Sequence, residues 1–169
     1  RAHFTGDADY ELLRSIKVSP RRGIPCAVAW EKPPLGLLKL NSDASVNCGR
    51  ASGGGLLCDS QGKLIFAFYK EFGDQAVLEA ESMALLCGLQ LCLQRGLCPS
   101  LVEVDSKTLV QLVGSGVIAK WPLCNSSRKV SDFLQGFLAS FSHIFREAHS
   151  SAARLAPIGA GGTAALTPF

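Results

Sequence analysis

Three short β-patterned runs joined by tight turns, followed by one twenty-residue helical run, constrain this chain more than any other feature. Leu37 to Leu40 reads as a strand running into Asn41, Ser42 and Asp43. A small-residue stretch, Ala51 to Gly55, leads into Leu56, Leu57 and Cys58 as a second strand. Asp59-Ser60-Gln61-Gly62 is a turn signal. Lys63 to Tyr69 then alternates Leu64, Phe66 and Phe68 as a third strand. Three strands with such short connections form an antiparallel meander. Ala76 to Arg95 is the long helix, with Gly96 at the expected cap.

Beyond it, Leu101 to Asp105 reads as a strand and Ser106 starts a helix through Val113. After Pro122, Asn125 to Ser140 is helical, with Val130, Phe133, Leu134, Phe137 and Leu138 as its core stripe. His143 to Glu147 is the final strand, and residues 150–156 a short helix. The order predicts one αβ domain whose sheet has mixed strand directions. The 169 residues, 47% of them hydrophobic, supply one ordinary core and not two. Residues 1–29 are expected to be a basic linker or arm, with a short helix at Tyr10 to Val18 and Arg14, Lys17, Arg21 and Arg22 as its charges. Residues 30–156 are the domain, and 157–169 a mobile Gly/Ala-rich tail.

Composition narrows function only a little. A charge of +3 fits a slightly basic domain as well as a nucleic-acid binder. The seven cysteines lack Cys-x-x-Cys spacing, and no His pair stands at zinc-ligand spacing. Reduced thiols in an intracellular compartment, nucleus or cytoplasm, are the reading that follows. No apolar stretch approaches the roughly 18 residues of a membrane span, so no membrane partner is expected. The chain starts at Arg1 and reads as a monomeric piece of a longer product.

Three acids carry the chemistry. Asp43 and Asp105 each end an apolar strand. Glu81 shares a helix face with Val77, Ala84, Leu85, Gly88 and Cys92. A carboxylate on an apolar face is costly unless paired, protonated or bound to a metal; alternatively, its place near the helix start lets the dipole and water support it. Acids converging at one sheet edge would need cations, and hard Mg²⁺ or Mn²⁺ suits their oxygens.

The local motifs sharpen this. Trp30-x-x-Pro33-Pro34-x-Gly36-x-Leu38-Lys39-Leu40-Asn41-x-Asp43 resembles the opening of the plant-type, retroelement-related ribonuclease H family. Gly53-Gly54-Gly55-Leu56-Leu57-x-Asp59-x-x-Gly62 is similar to that family's second strand and turn. Ala80-Glu81-x-x-Ala84-Leu85-x-x-Gly88-Leu89 resembles its first helix. Val102-Glu103-Val104-Asp105-Ser106 resembles its fourth strand. Ile144-x-Arg146-Glu147 and Leu155-Ala156 resemble its closing motif. The resemblance implies an α/β ribonuclease H-like fold: a mixed five-stranded sheet, first three strands antiparallel, with helices on both faces. It implies metal-dependent endonucleolytic hydrolysis of the RNA strand of an RNA–DNA hybrid. Asp43, Glu81 and Asp105 would be its catalytic metal ligands, with Asp43 bridging two ions. Ala44, Ser45 and Ser106 would lie at the nucleic acid, near the minor groove where 2′-hydroxyls are read. Ser106 is also placed to cap its helix.

The chain departs from the pattern in three places. Asp-Gly becomes Asp43-Ala44, the closing Asn is His149, and the fourth acid is Ala153, with no Asp or Glu after Glu147. Impaired catalysis is expected. A non-cleaving module that binds nucleic acid or protein, and a non-functional retroelement remnant, are the alternatives.

Overall fold

The computed structural model describes residues 30–116 and 122–145. The expected basic arm, the closing motif beyond Phe145, the helix over 150–156, His149, Ala153 and the tail lie outside the described residues.

Five strands form one sheet in the order β3-β2-β1-β4-β5. β1 (Lys39–Asn47), β2 (Arg50–Cys58) and β3 (Leu64–Asp74) are the antiparallel meander. β4 (Leu101–Val104) and β5 (Ser140–His143) add in parallel. Cys48 and Gly49, both at positive φ, close the β1–β2 hairpin in two residues. The next turn is made as its sequence suggests. The Asp59 carboxylate accepts from the amides of Gln61 and Lys63 at 2.9 Å each, and Gly62 takes φ 82°.

Helix α1 (Val77–Gln94) lies over β1 and β2, with α3 (Leu123–Phe137) packed against it and α2 (Lys107–Ser115) beside both. Leu40, Leu57, Phe66 and Phe68 from the sheet meet Leu85, Leu89, Val130 and Leu134 from the helices in the main core. The opposite sheet face carries a smaller cluster of Trp30, Leu56 and Cys58, with Ile144 against it. By length and mean hydropathy, 1.2 over 18 residues, α1 is apolar enough to cross a membrane. Its Leu85, Leu89 and Cys92 are fully buried in the main core, while Val77 and Leu93 are exposed.

Several boundaries differ from expectation: β1 continues to Asn47 and β3 to Asp74, and the last helix and strand are both shifted. The last strand is Ser140–His143, not His143 to Glu147. The helix before it stops at Phe137 because Leu138 turns left-handed (φ 53°), which frees residues 140–143 to pair with β4. Leu138 is therefore 89% exposed rather than part of the core stripe.

Candidate functional site

β1 is paired on both sides, but unequally. Its antiparallel ladder to β2 runs the full strand, whereas its parallel ladder to β4 ends at Ser42↔Val104. Asp43 is thus mid-strand, opposite Gly54, and not at a strand end as expected. It is nevertheless the first β1 residue past the β4 ladder, and Asp105 is the first past it on β4. Continuing the register puts the two Cα atoms about 4.8 Å apart. Side chains alternate along a strand. Leu40 and Ala44 face α1, so Lys39, Asn41 and Asp43 face away from it, as does Glu103, the β4 partner of Asn41. Asp43 is 4% exposed, and its Oδ1 accepts the Ala44 amide at 2.8 Å. Asp105 is half-buried.

Glu81 comes from the side that α1 covers. Ala80 and Ala84 pack on Ala44 and Ala51, which sets the first turns of α1 over the β1 segment that carries Asp43. This approach needs Gly53. A Cβ there would lie 2.6 Å from the Ala84 Cβ and 3.0 Å from the Asp43 carbonyl oxygen. Glu81 is half-buried with Oε2 shielded from solvent. Ser42, beside Asp43 but facing α1, has a buried hydroxyl with no hydrogen-bond partner.

Asp43 and Asp105 are therefore the residues that directly follow the last β1–β4 rung, Ser42↔Val104, and Glu81 belongs to the helix on the α1 side of β1. By type, these carboxylate oxygens fit a hard divalent ion. They do not form a ready-made cage: among the described residues, no three His, Cys, Asp or Glu side chains gather closely enough to hold a metal.

The remaining expected contacts are placed as follows. The Ala44 side chain is buried under α1 and its amide is engaged by Asp43. Ser45 is half-buried on the Asp43 face and pairs with Ser52. Ser106 caps α2, its Oγ accepting the Leu109 amide at 3.3 Å.

One polar group near the acids escaped the sequence reading. Lys39 Nζ donates to Glu103 Oε1 at 2.8 Å, and Asn41 Nδ2 donates to Glu103 Oε2 at 3.0 Å. Lys39 also donates to the Glu31 carbonyl at 2.7 Å and lies 5.2 Å from the Trp30 ring centre. Trp30 Nε1 in turn donates to Asn41 Oδ1 at 3.2 Å. The available signal was weak: alternating polar residues, Lys39 and Asn41, in an otherwise apolar strand. A separate cavity of about 290 Å³ opens between α1 and the start of α3, floored by Met83, Leu86 and Leu123, and none of these acids lines it.

The sequence profile of the family described as reverse transcriptase-like matches residues 41–158. A curated Arabidopsis thaliana protein bearing a provisional ribonuclease H name is 31% identical over 132 residues, 76% of this chain. The chain spans only 21% of that protein's length. Among solved structures, ribonuclease H1 of the archaeon Halobacterium salinarum superposes with a TM-score of 0.65 at 21% identity, covering 72% of this chain and 95% of the other. The N-terminal ribonuclease H domain of a Mycobacterium tuberculosis protein gives 0.65 at 20% identity, over 70% and 89%. A compost-derived ribonuclease H1, solved in complex with RNA/DNA hybrid, gives 0.62 at 21%, over 70% and 92%.

Proposed function

The chain belongs to the reverse transcriptase-like family and has the ribonuclease H-like fold; on that premise, we propose that it binds RNA–DNA hybrids and is a metal-dependent ribonuclease of impaired activity. The observation that supports the reading is the end of the β1–β4 ladder at Ser42↔Val104, with Asp43 and Asp105 as the next residue on each chain segment. The hybrid bound by the compost-derived enzyme supports the choice of ligand. Asp43, Glu81 and Asp105 are the residues to hold Mg²⁺ or Mn²⁺. When bound, such ions activate water and stabilise the leaving oxygen at a phosphodiester. The chain's own part is to orient the strand: Ser45 lies on the Asp43 face, and Ser106 stands next to Asp105 with a hydroxyl able to donate to a 2′-oxygen. Reduced cysteines support an intracellular location, in nucleus or cytoplasm, and the domain is taken as a monomer.

A non-cleaving binding module is the second reading. It is favoured by Ala153 in place of the fourth acid and by the lack of a three-ligand group among the described residues.

One comparison separates the readings: hybrid cleavage by this chain and by Ala153→Asp, each with Mg²⁺ and with Mn²⁺. A marked gain from the substitution is expected. Equal inactivity, with hybrid binding that weakens steeply with salt, leaves the module. No hybrid binding at low salt removes both.

A further inference from the structure

Glu103 stands on the sheet face that turns away from α1, the face that also carries Asp43, and lies close to Asp105 on its own segment. Glu103 is opposite Asn41 in the β1–β4 register and two residues before Asp105 on the same strand. That spacing is about 7 Å along a strand. Its two oxygens differ from those of a freely presented acid in that each is claimed. Lys39 Nζ holds Oε1 at 2.8 Å and Asn41 Nδ2 holds Oε2 at 3.0 Å. The holders are themselves held. The Lys39 side chain is 4% exposed and donates to the Glu31 carbonyl at 2.7 Å. Asn41 is 1% exposed and accepts from Trp30.

We infer that Lys39 and Asn41 lock Glu103 out of the acidic site, so that Lys39 sets how much negative charge the Asp43–Asp105 face presents to its ligand. The inference rests on the hybrid-binding reading above for the identity of that ligand. Lys39 is a positioning residue here, acting through Glu103. Its charge cancels one carboxylate that would otherwise repel phosphates and attract cations from the neighbouring rung. At about 7 Å, within a Debye length and partly screened by protein, one unmatched charge shifts binding of a charged ligand by roughly five- to tenfold.

The test uses the full chain and the variants Lys39→Met, Glu103→Gln, the double variant and Lys39→Arg. Hybrid affinity is read by anisotropy at fixed low salt, and Mn²⁺ affinity by electron paramagnetic resonance without nucleic acid. Lys39→Met should weaken hybrid binding about five- to tenfold and tighten Mn²⁺. Glu103→Gln, nearly isosteric and still able to meet Asn41, should do the reverse. The double variant and Lys39→Arg should sit near the parent. A purely structural ion pair predicts a loss in the same direction for both single variants, and that result overturns the inference. If Lys39→Met does not fold, Glu103→Gln alone decides: unchanged or weaker hybrid binding refutes the lock. If the parent binds no hybrid, the functional reading fails while the Mn²⁺ series still decides: a gain for Lys39→Met supports the lock and no gain overturns it.

Discussion

Gly53→Ala should damage both the fold and the acidic site through one contact. The added Cβ would lie 2.6 Å from the Ala84 Cβ, 2.8 Å from a Phe72 ring carbon and 3.0 Å from the Asp43 carbonyl. Carbon atoms are comfortable at about 3.5–4.0 Å. The Phe72 ring is half-buried at the edge of this cluster, and a side chain can shift more readily than a backbone. Ala84 and the Asp43 carbonyl have less freedom, because one is fixed in α1 and the other in a strand laddered to β2 along its whole length. Relief therefore requires α1 to lift by about 1 Å. Overpacking of this kind costs about 1–3 kcal/mol, and two tightly held neighbours place Gly53→Ala in the upper half of that range. Urea unfolding at constant m-value measures it. Ala84→Gly alone should cost about 1 kcal/mol through helix propensity. In the Gly53→Ala background it removes the shortest of the three contacts, that with the Ala84 Cβ, so the double variant should fall short of additivity by about 1 kcal/mol. Lifting α1 also withdraws Glu81 from the β1 segment carrying Asp43, so hybrid affinity should fall with stability. A Gly53→Ala cost below about 0.5 kcal/mol, or strict additivity with Ala84→Gly, would refute the close packing of α1 on β2.

Other outcomes follow from separate parts of the molecule. Ser106→Ala removes the α2 cap and should lower stability by about 1 kcal/mol in urea, with Ser106→Asp close to the parent. Trp30→Phe leaves the buried Asn41 oxygen without its donor and should cost about 1–3 kcal/mol, seen as a lower unfolding midpoint. Burial pushes the Cys58 thiol up to about 12, with Asp59 adding to it against Lys39, and burial likewise lifts Cys92 to about 12. In the unfolded chain both thiols ionise near 9.0. The unfolded state therefore loses protons first, and this contribution to stability is complete below pH 9 and drains between pH 9 and 12. At pH 8, thiol reagents should modify exposed Cys48 and Cys98 well before Cys58 and Cys92; equal rates would contradict the core assignment.

Local chemistry and the antiparallel meander were legible in the sequence; where the parallel β1–β4 and β4–β5 ladders begin and end was not. Asp59 and Gly62 make their turn, Ser106 its cap, and Gly96 its left-handed stop at φ 66°, because each depends on neighbours within four residues. The end of α3 was missed for a related reason. Apolar periodicity continues through Phe137 and Leu138, and nothing local in Leu138 signals a left-handed turn, which the pairing of Ser140–His143 with β4 requires.

The acids divide along the same line. Asp43 and Asp105 are readable as two acids following apolar runs, yet that both directly follow the last β1–β4 rung depends on where the ladder stops, a property of both strands jointly. The Lys39–Glu103 contact joins residues 64 positions apart, so no window of the sequence contains it. Counting acids in the sequence therefore overstates the charge of the site, since Glu103 is as near Asp105 along the strand as any carboxylate and is already neutralised. On the proposed hybrid-binding reading, the charge this face presents to its ligand excludes Glu103, whose two oxygens Lys39 and Asn41 already hold.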